Sequence, residues 1–318
     1  MKAPRRRPQV GSTDDRDGQD ATPGARRAGW LARQLIRLGV LAAGEGPAAR
    51  TLLLDEARRA SGGALGPIAL RRGDVLLDCG DMLMWRPALG TEAGADLAAE
   101  ARTEGRALEA VIAALTAEGR WRGGVIVELG ARFGAQTLHA ALREDVDRVI
   151  ALEPEPAYAE YLRRNIALNR LEEVALALQI AASDRSGPAP PEIGAQMSAP
   201  AEPRTERSRT AAPPGIAAAR LDDILGQNRI RPGEVGLVSM DVEGHEVEVF
   251  SGMPSLLSAR TPVCFHLRAG PPDAARLARW QALIAPHYTT GREIAGGRAA
   301  PLPLTGVFAA GPGLRLIL

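Results

Sequence analysis

The stretch Val125-Ile126-Val127-Glu128-Leu129-Gly130-Ala131-Arg132-Phe133-Gly134 decides the fold. Its apolar start is typical of a strand buried on both faces. The strand ends in an acid, and two glycines then turn the chain toward a helix predicted at residues 135–142. Glycine lets the backbone approach a ligand closely, and a helix N-terminus attracts a carboxylate or phosphate. The stretch therefore predicts a ligand site at a strand–turn–helix junction.

A second acid stands where such a site needs one. Glu153 ends the next predicted strand, at the spacing where a nucleotide-binding βαβ unit carries the acid that binds a ribose diol. A dinucleotide site needs a third glycine to admit a pyrophosphate, whereas Gly130 and Gly134 enclose the bulky Arg132 and Phe133. S-adenosylmethionine has no phosphate, so the pattern favours methyl transfer over hydride transfer. A nicotinamide-dependent oxidoreductase remains an alternative, supported by the βαβ unit alone.

The rest of the chain alternates between strand and helix patterns. This alternation predicts an α/β fold with a mostly parallel, Rossmann-like sheet, helices on both faces, and an N-terminal extension of helix and strand. The predicted strands are residues 74–77, 125–127, 148–152, 174–180, 236–240 and 262–267, with residues 82–85 as a loop or a further strand and two closing strands near Val307 and Leu316. The predicted helices are residues 104–115, 135–142, 156–168, 221–225, 246–257 and 274–284, with an amphipathic helix from Trp30.

Composition divides the chain into three parts. Residues 1–29 mix charges with almost no large apolar side chains, which predicts a disordered tail. Residues 30–120 form the predicted N-terminal extension, and residues 121–318 form the predicted catalytic domain. Within that domain, residues 186–219 are rich in Pro, Ala and Arg and predict a long loop, for which a substrate lid and a tolerated disordered loop both fit.

Charge and residue counts exclude several classes of function. With 39 Lys+Arg against 38 Asp+Glu, the formal net charge of +1 provides no field that would recruit nucleic acid or an anionic membrane. No apolar run is long enough to span a membrane. Two cysteines and four histidines cannot build a disulfide framework or a four-ligand zinc site, which favours a reduced, cytoplasmic compartment. Lys2 is the only lysine, so a Walker P-loop and a Schiff-base mechanism are excluded.

Six short motifs occur in an order that resembles one known family. Over residues 104–267 the chain resembles the FkbM-type methyltransferase family, and the Asp-Val-Glu-Gly element is the most specific of the matches. The motifs are Glu128-Leu129-Gly130-Ala131-Arg132-Phe133-Gly134, Ala151-Leu152-Glu153-Pro154, Asn165-Ile166-Ala167-Leu168-Asn169, Ala182-Ser183-Asp184, Leu221-Asp222-Asp223 and Met240-Asp241-Val242-Glu243-Gly244-His245-Glu246.

The resemblance implies a class I methyltransferase fold with S-adenosylmethionine as methyl donor. It implies O-methylation of a hydroxyl on a sugar, a polyketide or a related metabolite, so that the partner is a small-molecule or glycan acceptor. Residue by residue, it assigns Glu153 to the ribose hydroxyls and Asp184 to the adenine amino group. The methionine end of the cofactor falls to Glu128, Gly130, Ala131 and Gly134.

Four positions depart from the family pattern. The family usually has Asp at Glu128, Asn at Arg132, Lys at Ser239 and Glu at His266. These departures keep open a second class of function, a non-catalytic protein of the same fold that binds S-adenosylmethionine or another partner.

Ionisable residues cluster after the fourth strand of the predicted Rossmann-like sheet. Asp241, Glu243 and His245 reach the crevice at the carboxyl ends of the strands. Histidine titrates near neutral pH, which makes His245 the predicted base and Asp241 an alternative base or acceptor clamp. Asp241 and Glu243 suit a hard cation, yet no further ligand set accompanies them, and no metal is predicted. His266, within an apolar strand, is interpreted as a buried structural residue, and so are Asp78 and Cys79. The sequence does not indicate an oligomeric state.

Overall fold

The computed structural model describes ten stretches of the chain. They are residues 66–71, 74–79, 82–87, 94–189, 193, 215–242, 244–267, 274–295, 298–309 and 314–318. The predicted tail at residues 1–29, the helix predicted from Trp30 and Glu243 lie outside these residues, as does most of the loop predicted at 186–219.

The central sheet has eight strands in the described residues. They are β4 (Gly124–Leu129), β5 (Val146–Leu152), β6 (Ala175–Leu178), β10 (Val235–Met240), β11 (Val263–Leu267), β12 (Thr290–Ala295), β13 (Arg298–Pro303) and β14 (Leu314–Ile317). Their order across the sheet is β13-β12-β14-β11-β10-β4-β5-β6. The five strands from β6 to β11 in this order run parallel, and β14 runs antiparallel to both β11 and β12. The predicted α/β, class I methyltransferase architecture is confirmed.

Helices cover both faces of this sheet, because alternate strand residues enter two separate cores. One core contains Phe250, Phe265 and Trp280. The other contains Ile126, Leu138 and Leu108 together with residues of the N-terminal extension. The helices are α1 (Gly94–Ala117), α2 (Ala135–Ala141), α3 (Pro156–Leu168), α4 (Leu221–Gln227), α5 (Glu246–Ser251), α6 (Pro254–Ser258), α7 (Ala274–Ile284) and α8 (Leu304–Phe308).

The N-terminal extension forms a small antiparallel sheet held by two asparagines. Its strands β1 (Gly66–Arg71), β2 (Asp74–Asp78) and β3 (Leu83–Pro87) pair in sequence order. Asn165, fully buried on α3, accepts a hydrogen bond from Trp85 N and donates to Trp85 O and Phe133 O. Asn169 likewise accepts from Leu83 N and donates to Leu83 O. The two side-chain amides thus form hydrogen bonds with the backbone of β3, as a neighbouring strand would.

Several elements differ from the sequence prediction. Helix α1 begins at Gly94, ten residues before the helix predicted at 104–115, and β1 was not predicted. The helix predicted at 246–257 is two helices, because Pro254 lacks the N–H needed to continue α5 and instead begins α6. Val307 lies in α8 and not in a strand. The closing strands include the β12–β13 hairpin, which was missed because β13 is largely exposed and has no apolar alternation.

The base of the loop predicted at 186–219 is also more regular than expected. Its ends form β8 (Gly187–Pro188) and β9 (Ala217–Ala219). Strand β9 pairs with β8 on one side and with β7 (Ala181–Ala182) on the other, in a three-stranded sheet. These strands are mostly alanine, glycine and proline, residues that give no strand signal in a sequence.

Candidate active site

The glycine turn after β4 lies where the strand order of the sheet reverses, since β4 pairs with β5 on one side and β10 on the other. Gly130 has φ 80°, and a Cβ there would lie 2.2 Å from the carbonyl oxygen of Asp241. Gly134 has φ 89° and precedes α2. Both glycines are therefore required by the backbone, as the sequence suggested.

Four of the five N–H groups of this turn, at residues 130–134, donate within the protein. Gly130 N and Ala131 N donate to Leu152 O, and Gly134 N donates to Ala131 O. Arg132 N donates to Glu153 Oε2 at 2.7 Å. A pyrophosphate site needs free backbone N–H donors, so this turn suits a ligand that carries no phosphate.

Glu153 is buried at the end of β5 and holds two segments together. Its second oxygen accepts a hydrogen bond from Glu155 N, at the start of α3. Burial raises the pKa of Glu153 to about 7, although the two N–H donors and the charge of Arg132 act against that shift. The carboxyl thus fixes the shape of the glycine turn and retains acceptor capacity for a ligand hydroxyl.

Glu128 is buried beneath the turn, beside Thr137 of α2, whose hydroxyl donates to Glu128 Oε2. Burial is the main reason that the pKa of Glu128 rises to about 8, and the charges of Glu104 and Glu153 raise it further. The side chain is therefore largely neutral at pH 7 until a cation comes close.

A small cleft lies between α1, β3 and the glycine turn, and sequence reasoning missed its charged lining. Arg86 lies 4.6 Å over the Phe133 ring and pairs with Glu100 at 2.5 Å. Burial, and then Glu100, raises the pKa of Glu104 on the same wall. No sequence motif indicates these residues, because the fold brings them together from two separate elements, β3 and α1.

Asp241 follows β10, and its N–H donates to Leu129 O, which places it against the glycine turn. Its carboxylate lies 3.8 Å from Nδ1 of His266, on the neighbouring strand β11. The His266 side chain is 22% exposed, so it reaches the site edge rather than lying in the core. In the sequence, His266 lies in an apolar strand, which predicts burial and does not indicate a pairing with Asp241.

His245 is placed on the other side of the site. Its Nε2 lies 3.1 Å from Ser183 Oγ, and its Nδ1 lies 3.6 Å from Glu248. Asp184 lies next to Ser183 and accepts a hydrogen bond from Arg279 at 3.2 Å. His245 thus belongs with Asp184 at the end predicted for adenine, whereas Asp241 pairs with His266.

Two features of the described residues concern metal binding and membrane spanning. They contain no group of three or more His, Cys, Asp or Glu side chains arranged to hold a metal ion. None of the helices described is both long enough and apolar enough to cross a bilayer.

Comparison with known proteins identifies the domain that carries this site. A family model for the methyltransferase FkbM domain matches residues 128–280. This stretch of the chain is similar to the methyltransferase FkbM domain. The resemblance read from the six motifs is thereby confirmed, as is the predicted enzyme class of the domain.

Two kinds of relative accompany the FkbM match. The chain is 28% identical over 158 residues to hexuronic acid methyltransferase AglP of Haloferax volcanii; the match covers 48% of this chain and 60% of that protein. The chain thus spans about three fifths of the length of this relative.

The chain is also similar to solved structures. Methyltransferase FkbM of Methylobacillus flagellatus is 15% identical over 62% of this chain and 43% of its own, with a TM-score of 0.39. TYW2 of M. jannaschii, solved with AdoMet, is 12% identical over 78% of this chain and 85% of its own, with a TM-score of 0.38.

Proposed function

We propose that this protein is an S-adenosylmethionine-dependent O-methyltransferase that acts on a hydroxyl of a sugar or a related metabolite. The observation that carries the proposal is the glycine turn: it lies within the FkbM match, approaches Asp241 closely through Gly130, and is fixed by the buried Glu153. Four of its five N–H groups donate within the protein, which favours this cofactor over NAD.

The residues around the turn fit the cofactor. Glu153 would accept hydrogen bonds from the ribose hydroxyls, and Asp184 would accept one from the adenine amino group. Glu128 and the backbone at Gly130, Ala131 and Gly134 would hold the methionine end, where a neighbouring ammonium would favour ionised Glu128.

The bound cofactor supplies a methyl group on a sulfonium, so that transfer leaves a neutral thioether. The chain then has two tasks: to align the acceptor oxygen with that carbon, and to take the hydroxyl proton. His266 takes the proton on Nε2, because its Nδ1 faces the Asp241 carboxylate at 3.8 Å. His245 is the second candidate for the base; its hydrogen bond to Ser183 puts it beside Asp184, the residue proposed to bind adenine.

One relative supports the acceptor class. AglP of Haloferax volcanii is named a hexuronic acid methyltransferase, which supports a sugar as acceptor for this chain, and thus a small-molecule or glycan partner.

Equilibrium binding of S-adenosylmethionine, S-adenosylhomocysteine and NAD to the full chain tests the cofactor assignment. We expect micromolar binding of the two sulfur ligands only. Glu153→Gln should weaken it about 10- to 100-fold, since a hydrogen bond to a charged group contributes about 1.5–3 kcal/mol. Glu155→Gln is the matched control, because Glu155 donates a hydrogen bond to Glu153 through its backbone N–H, which the change keeps. Tight NAD binding would contradict the proposal.

Methyl transfer to a panel of glycosides then separates the enzyme from a non-catalytic binding protein. His266→Gln should lower kcat about 100-fold or more, with the affinity for S-adenosylmethionine unchanged, as expected for loss of a general base. His245→Gln should lower the affinity for S-adenosylmethionine more than kcat. Cofactor binding with no transfer to any acceptor would favour the non-catalytic alternative.

A further inference from the structure

Strand β14 brings an arginine to the carboxyl edge of the sheet beside His266. Arg315 is directly opposite His266 in the antiparallel β11–β14 pair. Side chains at such positions point to the same face, with Cβ atoms about 5 Å apart. Arg315 lies outside residues 128–280, so the FkbM match does not assign it a role.

Side-chain alternation along the strand fixes the face on which Arg315 lies. Cys264, two residues before His266 on β11, points to the same face of the sheet as His266 and therefore as Arg315. Cys264 is buried in the core beneath α1, so Arg315 is on the same side of the sheet as α1. In keeping with this placement, the positive charge of Arg315 lowers the pKa of Glu104 on α1, against the larger effect of burial. Arg315 thus lies beside His266 on the α1 side of the sheet.

The positive charge of Arg315 is not balanced by a carboxylate, whereas the charges of two other arginines are. Arg86 pairs with Glu100 at 2.5 Å and Arg276 pairs with Glu248 at 2.8 Å. Among the described residues, Arg315 has no carboxylate within ion-pair distance. Glu128 does not neutralise it either, because burial raises the pKa of Glu128 to about 8 and keeps that carboxyl largely protonated at pH 7. A half-buried guanidinium that has no carboxylate partner among the described residues is well suited to bind an anion.

We infer that Arg315 binds a carboxylate of the acceptor, and that the acceptor is an acidic sugar whose reacting hydroxyl neighbours this carboxylate. The inference rests on the proposed function. A guanidinium holds a carboxylate through two parallel hydrogen bonds and so fixes both its position and its orientation. With the carboxylate at Arg315, a hydroxyl on the adjacent ring carbon lies at His266, across one strand pair. Arg315 thus selects the acceptor and presents the hydroxyl to the base.

A matched pair of probes tests the inference. Methyl glucuronoside and methyl glucoside share their ring and ring hydroxyls and differ only in a carboxylate against a hydroxymethyl group. We would measure the binding of each to the full chain saturated with S-adenosylhomocysteine, and the transfer to each with S-adenosylmethionine. The parent protein should bind the uronate at least 10-fold more tightly and should form a base-stable methyl ether.

Three variants distinguish recognition from a structural role. Arg315→Gln should reduce the preference for the uronate about 10- to 100-fold, the usual effect of losing a charge-assisted pair. It should leave the glucoside and S-adenosylhomocysteine affinities within about threefold. Arg315→Lys should restore part of the preference, and Arg298→Gln, on the exposed edge strand β13, should change nothing.

The outcomes separate this inference from the proposed function. Equal binding of the two glycosides would overturn the role of Arg315, while cofactor binding and methyl transfer would still support a methyltransferase. A base-labile methyl ester as product would also overturn it, because the carboxylate would then be the methyl acceptor. Failure to bind S-adenosylhomocysteine in the parent protein would overturn the proposed function first.

Discussion

Arg132 occupies a backbone conformation that arginine rarely adopts. Its φ is 49°, in the left-handed region, within the turn that is proposed to hold the cofactor. Left-handed backbone costs an ordinary L-residue about 1–2 kcal/mol, and asparagine tolerates it better. The departure from the FkbM pattern, which has asparagine here, therefore has a conformational cost. The guanidinium recovers part of it by lying over the rings of Phe133 and Tyr158, at 5.7 and 5.9 Å.

Arg132→Asn should consequently raise the free energy of unfolding by about 0.5–1 kcal/mol. Urea denaturation followed by circular dichroism measures this change. Arg170→Asn is the matched control, since Arg170 has φ 59° at the end of α3 and lies outside the site. If Arg170→Asn stabilises the protein and Arg132→Asn destabilises it, the ring contacts of Arg132 outweigh its backbone strain.

Helix α3 couples the N-terminal sheet to the glycine turn through one side chain. Asn165 contacts both backbone groups of Trp85 and the carbonyl of Phe133. Since Arg86 follows Trp85 and lines the cleft, the same amide sets the position of a charged cleft residue.

Replacing this amide should affect stability and the cleft together. Asn165→Ala leaves three buried backbone groups without that partner, and each such group costs about 1–3 kcal/mol. We expect a lower midpoint of urea unfolding and a weaker affinity for S-adenosylmethionine. Arg163→Ala, a change at a largely exposed residue of the same helix, should leave both unchanged. An Asn165→Ala protein with parental stability would show that β3 is held by its other contacts.

The elements show why sequence reasoning found one half of the site and not the other. Gly130 and Glu153 were predicted because each belongs to a local pattern: a strand, a turn and a helix in sequence order. The pairing of Asp241 with His266, and of His266 with Arg315, arises from strand order and register. Residues on β10, β11 and β14 meet only in the assembled sheet, and an apolar strand around His266 predicts burial. Arg86 and Glu104 were missed for the same reason.

Buried carboxyls give the whole molecule a defined pH response. The pKa of Glu128 is raised to about 8 and that of Glu153 to about 7, from an ordinary value of 4.5, mainly by burial. Between pH 4.5 and these raised pKa values, both carboxyls stay largely protonated in the folded protein, whereas in the unfolded chain they have released their protons. The free energy of unfolding must therefore fall as pH rises from about 5 to 8, and the decrease ends above the folded pKa values.

Glu128→Gln should remove much of this pH dependence, because glutamine stays neutral throughout. At pH 8 the variant should match or exceed the parent in stability, by up to about 1–3 kcal/mol, given about 1.4 kcal/mol per pKa unit. Urea unfolding at pH 5.5 and pH 8 measures the slope. Glu172→Gln, at an exposed position, serves as the control. An unchanged slope in Glu128→Gln would mean that Glu128 is ionised in the folded protein at neutral pH.

The position of β14 also determines the order in which the sheet is completed during synthesis. The β12–β13 hairpin is made first, but β14 lies between it and β11. Until residues 314–317 leave the ribosome, the hairpin has no strand through which to join the sheet, and the facing edges of β11 and β12 are open to other chains. A nascent chain can therefore assemble the parallel strands early. It gains the edge of the sheet that carries Arg315 only after β14 has been made.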